Sequence, residues 1–109
     1  MRNCTPKRSF ARFLKNVPLI FCLKPDVCNC GGILELKEIA AMAEPYLVAI
    51  LPHNYNSTTV GLAATIQACA VMPNFLITEY FVNFTECGDM ISINPLAVEK
   101  GYIQLPTAP

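Results

Sequence analysis

Charged residues are scarce in this sequence. They make up 15% of the 109 residues, whereas residues classed as hydrophobic make up 53%; an average soluble domain has about 25% charged residues. Since a small domain has a large surface for its volume, the chain carries more apolar material than it can readily bury alone. Membrane insertion, obligate assembly or membership of a larger protein would each explain the excess. Pro45, Pro52 and Pro73 interrupt the apolar runs, and no run approaches the roughly 20 residues of a membrane-spanning helix, so we expect no membrane partner.

Several patterns for binding metals and nucleotides are also missing. The chain has a single histidine, His53, and the pair Cys28 and Cys30 lacks the Cys-x-x-Cys spacing of zinc and redox sites. Neither a Gly-x-Gly-x-x-Gly fingerprint nor a Gly-Lys-Ser/Thr phosphate loop occurs. These absences argue against a zinc protein, a dinucleotide-binding domain and a P-loop enzyme.

The cysteines and the basic start of the chain have two interpretations each. Six cysteines would permit disulfides, but no secretory signal is recognisable, so we expect free thiols in the cytoplasm. Basic residues cluster before Asp26, as in a targeting arm or a nucleic-acid-binding arm. Aromatic and basic residues do not interleave further on, so we favour a solvated helix face and expect no nucleic-acid partner.

Apolar runs and amphipathic segments alternate along the chain, with turn residues between them. We predict three helices and three strands: helices over 9–15, 33–44 and 59–71, and strands over 19–23, 46–51 and 75–81. Strands that are apolar on both faces and alternate with helices are typical of a parallel sheet covered by helices. The tail predicts a hairpin with its turn at Lys100 and Gly101. The predicted fold class is therefore α/β.

Three polar residues lie at or near the carboxyl ends of the predicted strands. Asp26 follows the first strand, His53 follows the second, and Glu79 lies near the end of the third. Consecutive parallel strands lie about 5 Å apart, so Asp26 and His53 can form a hydrogen bond. A carboxylate on one imidazole nitrogen fixes the tautomer and makes the other nitrogen more basic, which suits general acid–base catalysis. Taken singly, each residue is also consistent with an ordinary turn or boundary position.

Four segments of the sequence resemble one enzyme family, in the same order along the chain. They are "KPDVCNCGGILELKEIAAMAE", "LPHNYNST", "PNFLITEYF" and "GYIQLPTAP". They resemble the last part of enolase-superfamily enzymes of the mandelate racemase type, and in particular the acid-sugar dehydratases for gluconate, galactonate or arabinonate. The resemblance covers nearly the whole chain.

The resemblance implies a fold and a set of site residues. It predicts the last three strands of a TIM-type (β/α) barrel over residues 1–83, followed by a tail and hairpin over 84–109 that return toward a capping domain. It implies that Asp26 and His53 are the catalytic acid–base pair. Glu79 and Asn54 are expected to bind the substrate. Relatives carry a glutamine-like residue before Pro25, whereas this chain carries Lys24. A lysine at this position is able to form an ion pair with Asp26 and so to compete with His53.

The resemblance also implies a metal and partners that this chain does not supply itself. In the family Mg²⁺ is bound by acids on earlier strands, so we expect the metal in the parent enzyme, no metal ligands in these residues, and no activity from the chain alone. The expected partners are a sugar-acid substrate, a complementary barrel fragment and further copies of the parent enzyme. Racemisation instead of dehydration, and a non-catalytic module that completes a partner barrel, are the alternative functions.

Overall fold

A computed structural model describes residues 21–55, 57–82 and 85–105, except for the side chains of Thr85 and Asp89. The predicted helix over 9–15 and the first two residues of the predicted strand over 19–23 lie outside these ranges. The described elements, in chain order, are β1 (Cys22–Leu23), α1 (Val27–Cys30), α2 (Ile33–Ala43), a 3₁₀ turn (Glu44–Tyr46), β2 (Ala49–Ile50), α3 (Thr59–Cys69), α4 (Thr85–Met90), β3 (Val98–Glu99) and β4 (Tyr102–Ile103).

The first two strands pair in parallel, as the sequence predicts. Cys22 lies opposite Ala49, and Leu23 lies opposite Ile50. The ladder of hydrogen bonds extends past the short strands, because the Leu51 N–H donates to the Leu23 carbonyl (2.8 Å) and the His53 N–H donates to the Pro25 carbonyl (2.9 Å). The two chain segments are therefore held side by side up to the residues that follow them.

The predicted third strand over 75–81 is wrong in its extent. Phe75 forms an isolated parallel bridge with Ile50, and the residues after it are not in a strand. The Ile50 N–H donates to the Asn74 carbonyl and the Leu76 N–H donates to the Ile50 carbonyl. The next rung would need a donor from Pro52, which has no N–H, so the regular ladder stops there.

Helices α2 and α3 begin at the predicted residues and end slightly earlier than predicted, and helix α1 was not predicted. Gly31 and Gly32, with φ of 118° and 102°, turn the chain from α1 into α2 in a backbone conformation that glycine adopts without strain. Thr58 caps α3, because its side chain accepts a hydrogen bond from the Gly61 N–H. In α2, Leu36, Ala40 and Ala43 are buried, whereas Ile33 is 49% exposed.

A core forms between the parallel strands and the two longer helices. Its centre is Leu36 of α2 and Ile50 of β2, neither of which has exposed surface. The cluster of buried residues comprises Val27, Leu36, Ala40, Ala43, Val48, Ile50, Ala68, Cys69 and Met72. Asn74 ties this core together, because its side-chain amide donates to the carbonyls of Ala40 and Val48 at 3.0 Å each.

The predicted hairpin is confirmed in the C-terminal region. β3 and β4 pair in antiparallel fashion, with Val98 opposite Ile103 and Glu99 opposite Tyr102. Lys100 and Gly101 form the turn, and both have positive φ (51° and 83°), which is the backbone of the favoured two-residue hairpin turn. Helix α4 was not predicted. The proposed boundary between residues 83 and 84 stays a prediction.

None of the helices in the described ranges is long and apolar enough to span a bilayer.

Candidate active site

Asp26 is held at the end of the first parallel strand as the cap of helix α1. Its backbone is extended, and its Oδ1 accepts a hydrogen bond from the Cys28 N–H at 2.8 Å. The residue is 9% exposed. This capping bond fixes the carboxylate and leaves Oδ2 for another partner.

His53 supplies that partner. Its Nδ1 lies 3.1 Å from Asp26 Oδ2, and the His53 side chain is 39% exposed. An ionised carboxylate only accepts hydrogen bonds, so Nδ1 carries the proton and Nδ1–H donates a hydrogen bond to Asp26 Oδ2. The neutral imidazole then has its lone pair on Nε2. Because Lys24 is exposed and both Asp26 oxygens are engaged by other groups, the predicted competition of Lys24 for this carboxylate does not break the pair.

Glu79 lies on the other side of the same imidazole. Its Oε2 is 3.5 Å from His53 Nε2 and accepts a hydrogen bond from the Asn54 N–H at 3.2 Å. The Glu79 side chain is 37% exposed, so this end of the site is open to solvent while the Asp26 end is closed. The structure therefore brings together all three of the strand-end residues singled out from the sequence.

The Asn54 side chain is buried, unlike the partly exposed side chains of His53 and Glu79. The residue is only 3% exposed, and its Oδ1 is buried without a hydrogen-bond partner in the described part of the chain. Its backbone N–H is the group that touches the site, through Glu79. Direct contact between the Asn54 side chain and a substrate stays a prediction.

Sequence reasoning missed Thr78 as a residue that positions the site. The Thr78 hydroxyl donates to the Pro52 carbonyl at 3.1 Å, and the Glu79 N–H donates to the same carbonyl, also at 3.1 Å. Both bonds hold the chain beside Glu79 against the residue that precedes His53. The signal in the sequence was Pro52. Its missing N–H ends the regular ladder, but its carbonyl oxygen still accepts hydrogen bonds.

Two aromatic residues next to the site were also missed. The rings of Tyr55 and Phe81 have centroids 4.7 Å apart, and the Tyr55 ring lies 6.3 Å from the His53 ring. Tyr55 follows His53 by two residues, and Phe81 follows Glu79 by two. The same spacing after each of the two site residues was the signal in the sequence.

The residues at this site do not make a magnesium site. Within the described ranges there is no group of three or more His, Cys, Asp or Glu side chains that could hold a metal ion. Magnesium prefers near-octahedral coordination by oxygen atoms, and both oxygens of Asp26 already have partners. A magnesium ion at this site would need ligands from other residues.

Comparison with known proteins gives consistent matches. The family described as "Enolase C-terminal domain-like" matches residues 3–109. D-galactarolactone cycloisomerase of Agrobacterium fabrum is 32% identical in a match that covers 80% of this chain and 25% of the relative. D-galactonate dehydratase of Ralstonia pickettii is 31% identical in a match that covers 94% of this chain and 29% of the relative.

A solved structure gives the same picture. A crystal structure from Burkholderia, described as a mandelate racemase/muconate lactonizing enzyme, has a TM-score of 0.81 at 37% identity and covers 93% of this chain and 24% of that one. The chain thus spans about a quarter of the length of the proteins it matches.

Proposed function

Because this chain belongs to the enolase C-terminal domain-like family, we propose that it forms part of an acid-sugar dehydratase in which His53 moves protons at the reacting carbons. The domain of this family is part of a TIM-type barrel, and catalytic groups of such barrels converge at the carboxyl ends of the strands. The proposal draws its substrate class from relatives such as D-galactonate dehydratase.

The observation that carries the proposal is the position of His53 between two carboxylates at this edge. Asp26 Oδ2 accepts a hydrogen bond from Nδ1–H, so it orients the ring and stabilises the imidazolium that forms when Nε2 takes up a proton. The His53 side chain is partly exposed, whereas Asp26 is buried, so a substrate reaches the imidazole more readily than the supporting carboxylate. This is the arrangement that an acid–base pair requires.

In the proposed reaction, a base removes the proton from the carbon next to the substrate's carboxyl group. The electron pair of that C–H bond passes into the carboxyl-stabilised anion. The C–O bond at the next carbon then breaks, and the leaving hydroxyl group takes a proton and departs as water. The enol that results becomes a 2-keto-3-deoxy acid. We assign to His53 Nε2 the proton transfer on its own face of the substrate.

Glu79 and Asn54 are assigned supporting roles. Glu79 Oε2 lies 3.5 Å from His53 Nε2. A substrate hydroxyl group that approaches Nε2 therefore meets this carboxylate, and either displaces it or donates a hydrogen bond to it. The Asn54 N–H orients the Glu79 carboxylate, so Asn54 contributes through its backbone. Enzymes of this superfamily typically use Mg²⁺. The site residues do not fit that ion, so no step assigned to this chain involves it, and its ligands are proposed to come from other residues of the enzyme.

The proposal is tested by replacing the matching segment of the Ralstonia pickettii D-galactonate dehydratase with residues 3–109 of this chain. We expect the chimera to form a 2-keto-3-deoxy acid from D-galactonate, and His53→Gln to lower kcat by about 10²- to 10⁴-fold. Lys37→Gln, on an exposed position of α2, is the matched control and should leave kcat unchanged. Equal activity of the His53→Gln and Lys37→Gln chimeras would contradict the assignment and favour a non-catalytic module.

A companion assay tests whether this chain needs the other residues. The 109-residue chain is incubated with D-galactonate and Mg²⁺, and we expect no 2-keto-3-deoxy acid. Product that forms with the chain alone and disappears in His53→Ala would show that the chain is sufficient.

The cycloisomerase relative favours a second candidate, the isomerisation of a sugar-acid lactone. The dyad can serve proton transfer in either reaction. Incubation of the chimera with D-galactarolactone and analysis of the product by NMR separates the two, because dehydration releases a 2-keto-3-deoxy product and isomerisation does not.

A further inference from the structure

The aromatic pair Tyr55 and Phe81 continues the two chain segments that carry the acid–base residues. His53 and Glu79 face each other across these segments with Nε2 and Oε2 3.5 Å apart. Two residues further along each segment, the Tyr55 and Phe81 rings are in contact, with centroids 4.7 Å apart and planes tilted by 57°. The short distance between the His53 and Tyr55 rings, 6.3 Å, places the aromatic pair beside the acid–base pair on the same side.

The site consequently has two faces of different chemistry. One consists of the polar groups of Asp26, His53 and Glu79, and the other consists of aromatic rings. Tyr55 is 54% exposed, so part of its ring is open to a ligand that reaches His53. The face of an aromatic ring carries negative charge density and attracts weakly positive hydrogens. The C–H groups along a hydroxylated carbon chain have this character, whereas its hydroxyl groups suit the polar face.

We propose that Tyr55 and Phe81 form an aromatic platform that binds the carbon chain of a hydroxylated carboxylic acid whose carboxyl end lies at His53. This inference rests on the proposed function and deepens it, because it names the residues that select a long sugar acid over a short carboxylate. The platform contributes contact area along the chain of the ligand and takes no part in proton transfer. Its loss therefore weakens the binding of sugar acids and leaves small carboxylates unaffected.

The test uses the complete 109-residue chain and NMR, because a single histidine gives an unambiguous ring signal next to the platform. Potassium D-galactonate is titrated into the protein, and the dissociation constant is taken from the shift of the His53 ring protons. Potassium acetate, which has a carboxylate and no hydroxylated chain, and galactitol, which has the chain and no carboxylate, are titrated in parallel. We expect D-galactonate to bind more tightly than either.

Two Tyr55 variants distinguish the contribution of the aromatic ring to binding from that of its hydroxyl group and from that of apolar side-chain volume. Tyr55→Leu keeps an apolar side chain and removes the ring, and should weaken D-galactonate binding by roughly five- to tenfold, the size expected for one aromatic contact. Tyr55→Phe keeps the ring and should stay within about twofold of the original dissociation constant by the same reasoning. Acetate should shift the His53 signal equally in all three proteins.

The outcomes distinguish failure of the platform from failure of the proposed function. If D-galactonate shifts the His53 signal with the same dissociation constant in Tyr55→Leu, the platform is overturned and the sugar-acid site at His53 stands. If D-galactonate leaves the His53 signal unmoved in the folded, unsubstituted chain, the platform is overturned, and the proposed function is decided separately by the activity of the His53→Gln chimera. Should Tyr55→Leu fail to fold by circular dichroism, Phe81→Leu takes its place, with the same fivefold loss required.

Discussion

The strand-end region, residues 21–55 and 57–82, supplies every member of the buried cluster, whereas the C-terminal region, residues 85–105, supplies none of them. In the first, Leu36 and Ile50 have no exposed surface and pack in one cluster. In the second, Met90 is 85% exposed and Ile93 is 97% exposed. All members of the buried cluster come from the strand-end region, so that region makes the core on which the candidate site is built.

The comparison shows which contacts hold the acid–base residues in place. Asp26, His53 and Glu79 are fixed by backbone bonds and one helix cap within the strand-end region. The C-terminal region touches this region at the start of α3, where Gly88 packs against Thr59. Substitutions in the two regions should therefore differ sharply in their effect on stability.

The largest difference in the free energy of unfolding is expected when an isoleucine is replaced by alanine in each region. Ile50→Ala removes a fully buried side chain and should lower the free energy of unfolding by about 2–5 kcal/mol through lost burial and a cavity. Ile93→Ala, the matched control, should change it by less than about 0.5 kcal/mol because the side chain is exposed. Urea unfolding of the two variants measures this, and similar losses at both positions would contradict the comparison.

Asparagines in the two regions provide the second test. Asn74→Ala removes two hydrogen bonds and leaves the carbonyls of Ala40 and Val48 without that donor, at a cost of about 1–3 kcal/mol in unfolding free energy. Asn94 is exposed in the C-terminal region, so Asn94→Ala should be nearly neutral. The same urea titration compares them. An Asn74→Ala protein as stable as Asn94→Ala would show that these bonds contribute nothing net.

A third substitution acts at the contact between the regions. A Cβ added to Gly88 would lie 2.6 Å from the Thr59 hydroxyl oxygen, so one of the two segments has to move. We expect Gly88→Ala to cost about 1 kcal/mol, since overpacking outweighs the gain in helix propensity. Thr59→Ala removes the obstructing hydroxyl and should restore stability in the double variant. A double-mutant cycle measures the coupling, and additive effects would mean that the contact is not made.

The parts of the fold that could be predicted from sequence are those with a local cause. Apolar runs ended by Pro25 and Pro52 predicted the parallel pair β1 and β2. Amphipathic spacing predicted α2, and the Lys100–Gly101 turn predicted the hairpin. The same prolines fixed where the strands end, so the convergence of Asp26 and His53 followed from strand pairing alone.

The failed predictions depend on partners that lie far along the chain. The extent of the third strand is limited by a missing N–H on Pro52, which belongs to its neighbour and not to the strand itself. Helix α4 has no apolar periodicity in its sequence, TECGDM, to reveal it. The burial of Asn54 and the exposure of Ile33 were not predicted, because they are set by which surfaces meet, and local pattern does not contain that information.

The smallest expected effect is a difference in thiol reactivity between buried and exposed cysteines. Cys69 ends α3 in the core, and burial raises the pKa of its thiol to about 12, because the thiolate loses hydration there. A raised pKa means that the folded state keeps a proton that the unfolded state loses, so this contribution to stability is present below about pH 9 and declines as pH rises toward 12.

At pH 8, iodoacetamide should label exposed Cys22 and Cys87 well before Cys69. Mass spectrometry of the labelled peptides measures the order, and in urea all three should react alike. Equal labelling of Cys69 and Cys87 in the native protein would contradict the packing of α3 described above.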